Sequence, residues 1–153
     1  MISGLTENEW VFTNNGMTVI SDLVLMENPQ ILTYNFETKQ TEYKKVIKIT
    51  KSEERHKLKR IIMSYVVQKS KVMFTDNYHF FRLTSDNQIE PAAFDTLKQG
   101  DLLLSLKTEN EIFFPDMWSI ANTMKYYLYD FEIEDNAPFF AGQVVPLLMQ
   151  KTI

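Results

Sequence analysis

The sequence predicts an all-β fold, a barrel or a curled sheet, on three observations. Apolar and polar residues alternate over short runs rather than at a helical repeat. Turn-forming Asn, Asp, Gly and Pro interrupt those runs at close spacing. β-Branched and aromatic residues fill them, the aromatics alone reaching 13% of the chain.

"WVFT" and "GMTVISDLVL" are joined by "NNG", a hairpin connection because Asn and Gly accept positive φ. "QILTYNFETKQTEYKKVIKI" predicts a second hairpin, with "ETKQ" at its tip and Val46, Ile47 and Ile49 on the return strand. "LKRIIMSYVVQ" is a long β-branched and aromatic run. "VMFTDNYHFFRLTSDNQIEP" is another, broken twice by Asp-Asn pairs, whose short side chains bond nearby backbone and suit bends. "LLLSL", "EIFF" and "KYYLYDFEIED" complete the strands. Only "DMWSIANTMKYY" has spacing that fits a helix, with Met117, Ile120 and Met124 near one face; it fits equally a loop entering a strand. An internal echo lays "LMENPQILTYN" from Leu25 over "LKQGDLLLSLK" from Leu97: a leucine, a turn pair, then an apolar strand. A duplicated sheet unit would produce that echo.

A chain of 153 residues suits one compact domain, 1–153, with a real hydrophobic core. With 44% apolar and 24% charged residues it is globular in composition, not disordered. A net charge of −4 argues against a large nucleic-acid footprint, which needs a clustered basic surface. The basic cluster "KSEERHKLKR" is interrupted by two glutamates and reads as a solvated loop or hairpin tip. The absence of cysteine removes disulfides, thiolate zinc sites and cysteine nucleophiles together. Two histidines set far apart offer no metal-ligand spacing, so neither a metal nor a cofactor is expected. The N-terminus lacks a basic start and an apolar run, and no stretch is long enough to span a membrane. That pattern is compatible with the cytoplasm or a virion.

In order, these pieces resemble the Hint superfamily, the self-processing modules of inteins and hedgehog proteins. "NNGMTVISDL" is similar to the family's glycine turn, strand and short following element. "ILTYNFETKQTEYKKVIKI" is similar to its strand–hairpin–strand, and "FTDNYHFF" looks like its Thr…His block. "PAAFDTLKQGDLLLSL" matches the Leu-x-x-Gly-Asp element before an apolar strand, and "YLYDFEIEDNAPFFAGQVV" resembles the closing block. The resemblance runs over nearly the whole chain in the family's order. It implies curled antiparallel hairpins with pseudo-twofold symmetry, in a module without a homing endonuclease insert.

The resemblance also implies a chemistry. A nucleophile at the module's first residue attacks the preceding carbonyl, a histidine protonates the departing nitrogen, and a nearby threonine holds the strained peptide. Splicing then needs a terminal asparagine, usually beside another histidine, whose side chain cyclises to cut the second junction. Ser3 falls near the nucleophile position, with Met1 as a rival alignment. The family places two residues between Thr and His; here three separate Thr75 from His79. With His79 in register, Asp76 takes the threonine's slot, where it would raise the histidine's proton affinity without supplying a hydroxyl. A bulge would absorb the extra residue. The plain alternative is a hairpin bend carrying a half-buried, hydrogen-bonded histidine. Ala137 and Pro138 stand where a further histidine is expected, and Pro146-Leu147 or its neighbours stand in place of His-Asn. No asparagine follows Asn136, so cyclisation at the C-terminal edge has no side chain to perform it. Asp101 and Asp130 recur at family positions, where they are expected to bond backbone at turns or strand ends.

The expectation is therefore a degenerate, non-splicing Hint module, retained as a structural or protein-interaction domain. Its partners would be other proteins or its own flanking polypeptide, and a virus or phage particle is one setting for it. Nucleic acid and membranes are not expected partners. Two alternatives stand beside it. One is a single-cut autoprocessing domain, in which Ser3 makes an N-to-O acyl shift assisted by Thr75 and His79. The other is an unrelated β-barrel binding module.

Overall fold

The computed structural model describes residues 3–65 and 71–152. Met1, the rival nucleophile, and the end of the "LKRIIMSYVVQ" run from Val66 lie outside the described residues. β1 (Trp10–Thr13) and β2 (Gly16–Val19) form the expected hairpin, with Thr13 opposite Gly16 across Asn14-Asn15. Gly16, just past Asn14-Asn15, takes φ +87°, the left-handed position that follows the turn in a G1-bulge hairpin and that glycine adopts without strain. A single helical turn, α1 (Ile20–Leu23), follows and buries Ile20 and Leu23. β3 (Gln30–Asn35) and β4 (Gln40–Lys51) make the second hairpin.

After β5 (His56–Met63) and β6 (Lys71–Phe74), the same plan begins again. β7 (Tyr78–Leu83) and β8 (Ile89–Ala93) form a hairpin, and a 3-10 turn at Phe94–Thr96 follows. β9 (Ser105–Thr108) and β10 (Glu111–Phe113) then make another hairpin. Each half is thus hairpin, short helical turn, hairpin. The Leu25 and Leu97 segments hold equivalent places, and Asn28 (φ +47°) and Gly100 (φ +94°) supply the left-handed residue of each turn.

The last strands complete the symmetry. β11 (Met117–Tyr126) and β12 (Tyr129–Ile133) lead to a 3-10 turn at Glu134–Asn136, then β13 (Phe139–Ala141) and β14 (Leu147–Lys151). β13 pairs with β1 and β3 of the first half; β14 pairs with β7 and β9 of the second. The two strands also pair with each other, so this hairpin is the seam across which the halves meet. Every pairing among the described strands is antiparallel. The protein is all-β with pseudo-twofold character, as the sequence predicts.

The seam is also the core. Phe139, Phe140, Leu147, Leu148 and Met149 are at most 2% exposed, with Phe80 and Phe74 packed edge-on at 4.9 Å beside them. Each such side chain contributes about 2–3 kcal/mol of burial. The segment with helical spacing is instead strand β11, which pairs with β5. Its register shifts twice, between Met117 and Ser119 and between Asn122 and Lys125. The first shift skips the strand's alternation and sets the inward Met117 and Ile120 three residues apart. Of the "KSEERHKLKR" cluster only Ser52–Arg55 forms the loop between β4 and β5; the rest lies on the ends of those strands, where Leu58 is buried, so the expected solvated tip is confined to those four residues. Among the described residues no helix is long and apolar enough to cross a membrane.

Candidate functional site

The N-terminal segment is pinned against β12. Leu5 exchanges backbone hydrogen bonds with Tyr129, at 3.1 and 2.8 Å, which carries Ser3 and Gly4 inside. Ser3 is only 4% exposed. A Cβ at position 4 would sit 2.7 Å from the Tyr129 carbonyl oxygen, so only glycine lets the segment pass. The Gly4 N–H donates to Thr75 Oγ1 at 3.1 Å, and the Thr75 hydroxyl donates to Asn77 Oδ1 at 2.7 Å. Thr75, on the turn from β6 to β7, is buried; Asp76 beside it is exposed. The turn therefore presents the threonine to the N-terminal peptide and the aspartate to solvent.

Two residues separate Thr75 from Tyr78. With the threonine in register, the two-residue spacing that the resemblance implies falls on Tyr78 rather than His79. Tyr78 is 1% exposed, packs edge-on against Phe139, and its hydroxyl has no hydrogen-bond partner among the described residues. Burial first, and then the charge of Asp130, push its phenol far above the ordinary range, so it stays protonated.

Strand alternation turns His79 the other way. It lies opposite Gln150 of β14, with Nδ1 3.0 Å from Thr152 Oγ1 and its ring 5.3 Å from that of Phe81. Burial lowers its proton affinity, partly offset by a hydrogen bond with Gln150, so the ring is neutral at pH 7.

The chain's end completes the site. Pro146 and Leu147 do not reach it. The Pro146 carbonyl accepts bonds from the Leu106 N–H and the Ser105 hydroxyl, and Leu147 is fully buried opposite Ala141 and Ser105. Lys151 arrives instead, opposite Tyr78 and ion-paired with Asp130. Asn136 Nδ2 donates to the Lys151 carbonyl at 3.3 Å, and Gln150 Nε2 donates to the Asn136 carbonyl at 2.6 Å. Asp135 and Asn136 both hold left-handed backbone, at φ +62° and +48°, which aims the Asn136 amide back at β14.

Ser3 and Asp130 line a cleft of about 560 Å³, with Lys48, Lys51 and His56 among its other walls. Asp101, the other aspartate singled out, bonds backbone at its turn and pairs with Arg82 at 3.1 Å. Among the described residues no group of three or more His, Asp or Glu side chains is placed to hold a metal. Thr75 thus serves the N-terminal segment, while His79 serves the C-terminal end. Tyr78, Lys151 and Asn136 were not singled out from sequence as site residues. Only Tyr78 had a signal there, its two-residue spacing from Thr75.

This arrangement sits on a known frame. A solution structure of a KlbA intein precursor from Methanococcus jannaschii is similar over 99% of this chain and 92% of that one, with a TM-score of 0.79 at 16% identity. A DnaB intein from Synechocystis sp. PCC 6803 matches 99% of this chain and 100% of its own, with a TM-score of 0.76 at 16% identity. The DnaX mini intein from Spirulina platensis matches 97% and 99%, with a TM-score of 0.73 at 22% identity.

The chain has the Hint fold of inteins.

No family model matches the sequence, and no curated protein does. The likeness thus lies in the fold, and the Hint frame is recognisable in the residues mainly through block order and turn chemistry. The N-terminal segment, Thr75, Asp130 and the end of β14 converge from both halves of the pseudo-twofold.

Proposed function

We propose that this chain is a Hint module that has lost protein splicing and serves as a structural or protein-interaction domain. The observation that carries this reading is Lys151. It occupies the strand end beside Asp130 and Tyr78, where the family's terminal asparagine would act, and a lysine side chain has no carboxamide to close on the backbone. Tyr78 supports it: a phenol held protonated by burial is a poor acid for releasing an amine. The interaction role draws on β11, which pairs along one edge with β5 and exposes Trp118 and Met124, at 49% and 74%. A long edge of this kind suits pairing with another polypeptide, including one in a larger assembly such as a virus or phage particle.

The test is expression with folded proteins fused at both ends. The expected outcome is no ligated product of the two flanks; a ligated product overturns the reading. Measuring mass in solution, alone and with assembled material, tests the interaction role.

A single cut before Ser3 is the second reading, favoured by the bond from the Gly4 N–H to Thr75. That bond serves the peptide after Ser3, whereas the cut would fall on the peptide before it. Ser3→Ala and Thr75→Val should both abolish N-terminal cutting if this reading holds, whereas His79, which faces the end of β14, should matter little.

A further inference from the structure

β11 leaves part of one edge without a strand beside it. The backbone of Met117 turns away from β5: its N–H donates to the Asp101 carbonyl and its carbonyl accepts from the Gly100 N–H, both at 2.8 Å. Beyond Met117 the Lys98–Asp101 turn peels away, and among the described residues β11 pairs only with β5. A cleft of about 460 Å³ opens there, walled on one side by Phe94, Asp95, Leu97 and Gln99 and on the other by every residue from Met117 to Asn122. Successive strand residues point to opposite faces, so a cleft lined by an unbroken run of them follows the strand's edge. The extra residue at the shift between Met117 and Ser119 moves the alternation on by one. The outward N–H and C=O groups therefore belong to Ile120 and Asn122, with those of Ala121 turned to Arg60 of β5.

We propose that this edge pairs with the same edge of a second copy, antiparallel about a twofold axis at Ala121. The free stretch begins at Trp118, because Met117 is already bonded, and a twofold at Ala121 ends it at Met124. Ile120 of one copy then exchanges both backbone bonds with Asn122 of the other, which satisfies the outward groups of the run. Trp118, 49% exposed, comes opposite Met124, 74% exposed, so the two large apolar side chains that β11 leaves in water cover each other as ring against sulfur. Lys125, the one charge between Met117 and Tyr126, falls opposite Met117, and no like charges meet. Two strand edges with four such side chains cover about 1,000 Å², the low end for a specific contact, so the dimer is weak and concentration-dependent.

This pairing rests on the interaction role proposed above and names its partner. Sedimentation of the full chain between about 1 μM and about 1 mM tests it. The expected mass rises from 18.0 kDa towards twice that value. Trp118→Lys should raise the dissociation constant about 10-fold or more. The chain has no cysteine, so Ala121→Cys introduces a single thiol, which in this register meets its own copy at a Cα separation of about 4.5 Å, within disulfide range. Oxidised glutathione should join that variant into a covalent dimer. Ser119→Cys, which faces Thr123 of the copy, should join about 10-fold more slowly. A native chain that stays at the monomer mass throughout overturns the proposal. If it nonetheless gains mass with assembled material, the interaction role stands and the edge belongs to a different polypeptide. A dimer in which Ser119→Cys joins as fast as Ala121→Cys also overturns the pairing, because the contact then lies elsewhere. Ligation of fused flanks enters none of these outcomes.

Discussion

Glu9 opens a direct test of how the N-terminal segment is held. Its carboxylate is 7% exposed and accepts two backbone N–H bonds, from Met73 of β6 at 3.2 Å and from Trp10 at 3.3 Å. Burial dominates over these bonds and over Lys71, the charged group acting on it, and raises its pKa from 4.5 to about 7. In the unfolded chain the group releases its proton near 4.5, so between that pH and about 7 the folded state holds a proton that the unfolded state does not. Stability from this group therefore falls as pH rises through that window, by about 3 kcal/mol in total, and is level on either side. Glu9→Gln removes the titration. It also exchanges one accepting oxygen for a donor, a loss of about 1 kcal/mol. The variant should be slightly less stable than the native chain near the bottom of the window and about 2 kcal/mol more stable above it. Urea unfolding midpoints at several pH values, with unchanged slope, read this as two curves that cross. Parallel curves would refute the reasoning, because the carboxyl would then be as well solvated folded as unfolded.

Three further substitutions probe the site. Thr75→Val leaves the buried Gly4 N–H without an acceptor and should cost about 1–3 kcal/mol, with faster hydrogen exchange at the Gly4 amide. Gly4→Ala should cost about 2–3 kcal/mol by thermal unfolding, since φ is +151° and the added carbon meets the Tyr129 carbonyl. Tyr78→Phe removes a buried hydroxyl that has no partner among the described residues, and stability should stay within about 0.5 kcal/mol or rise. A loss of several kcal/mol in urea unfolding would mean that this hydroxyl is hydrogen-bonded after all.

The hairpins were legible because their signals are local. Asn14-Asn15-Gly16 names its own turn, and the Asp-Asn pairs mark the ends of β6–β7 and β7–β8 without reference to the rest of the chain. β11 was not legible: a register shift sets the inward Met117 and Ile120 three residues apart, and Met124, which completes the helical spacing, is exposed on the strand. In the site, Thr75 could be read from its block, and Tyr78, with two residues between, could have been read from spacing alone. Counting inward from His79 hid it, because strand alternation sends that histidine to the opposite face. The C-terminal register was beyond sequence reasoning. Five residues, Gly142 to Pro146, connect β13 to β14, and they carry Gln150 and Lys151 rather than Pro146 and Leu147 to the site. Asn136 owes its role to two consecutive left-handed residues, which "EDN" permits but does not announce.

The frame of the module and its lost splicing are separable claims, and one measurement addresses both. The chain, flanked by two folded proteins, is incubated and its species are weighed by intact mass. The account predicts that no species with the mass of the two joined flanks forms. A mass equal to the two flanks joined, with the module excised, would contradict it.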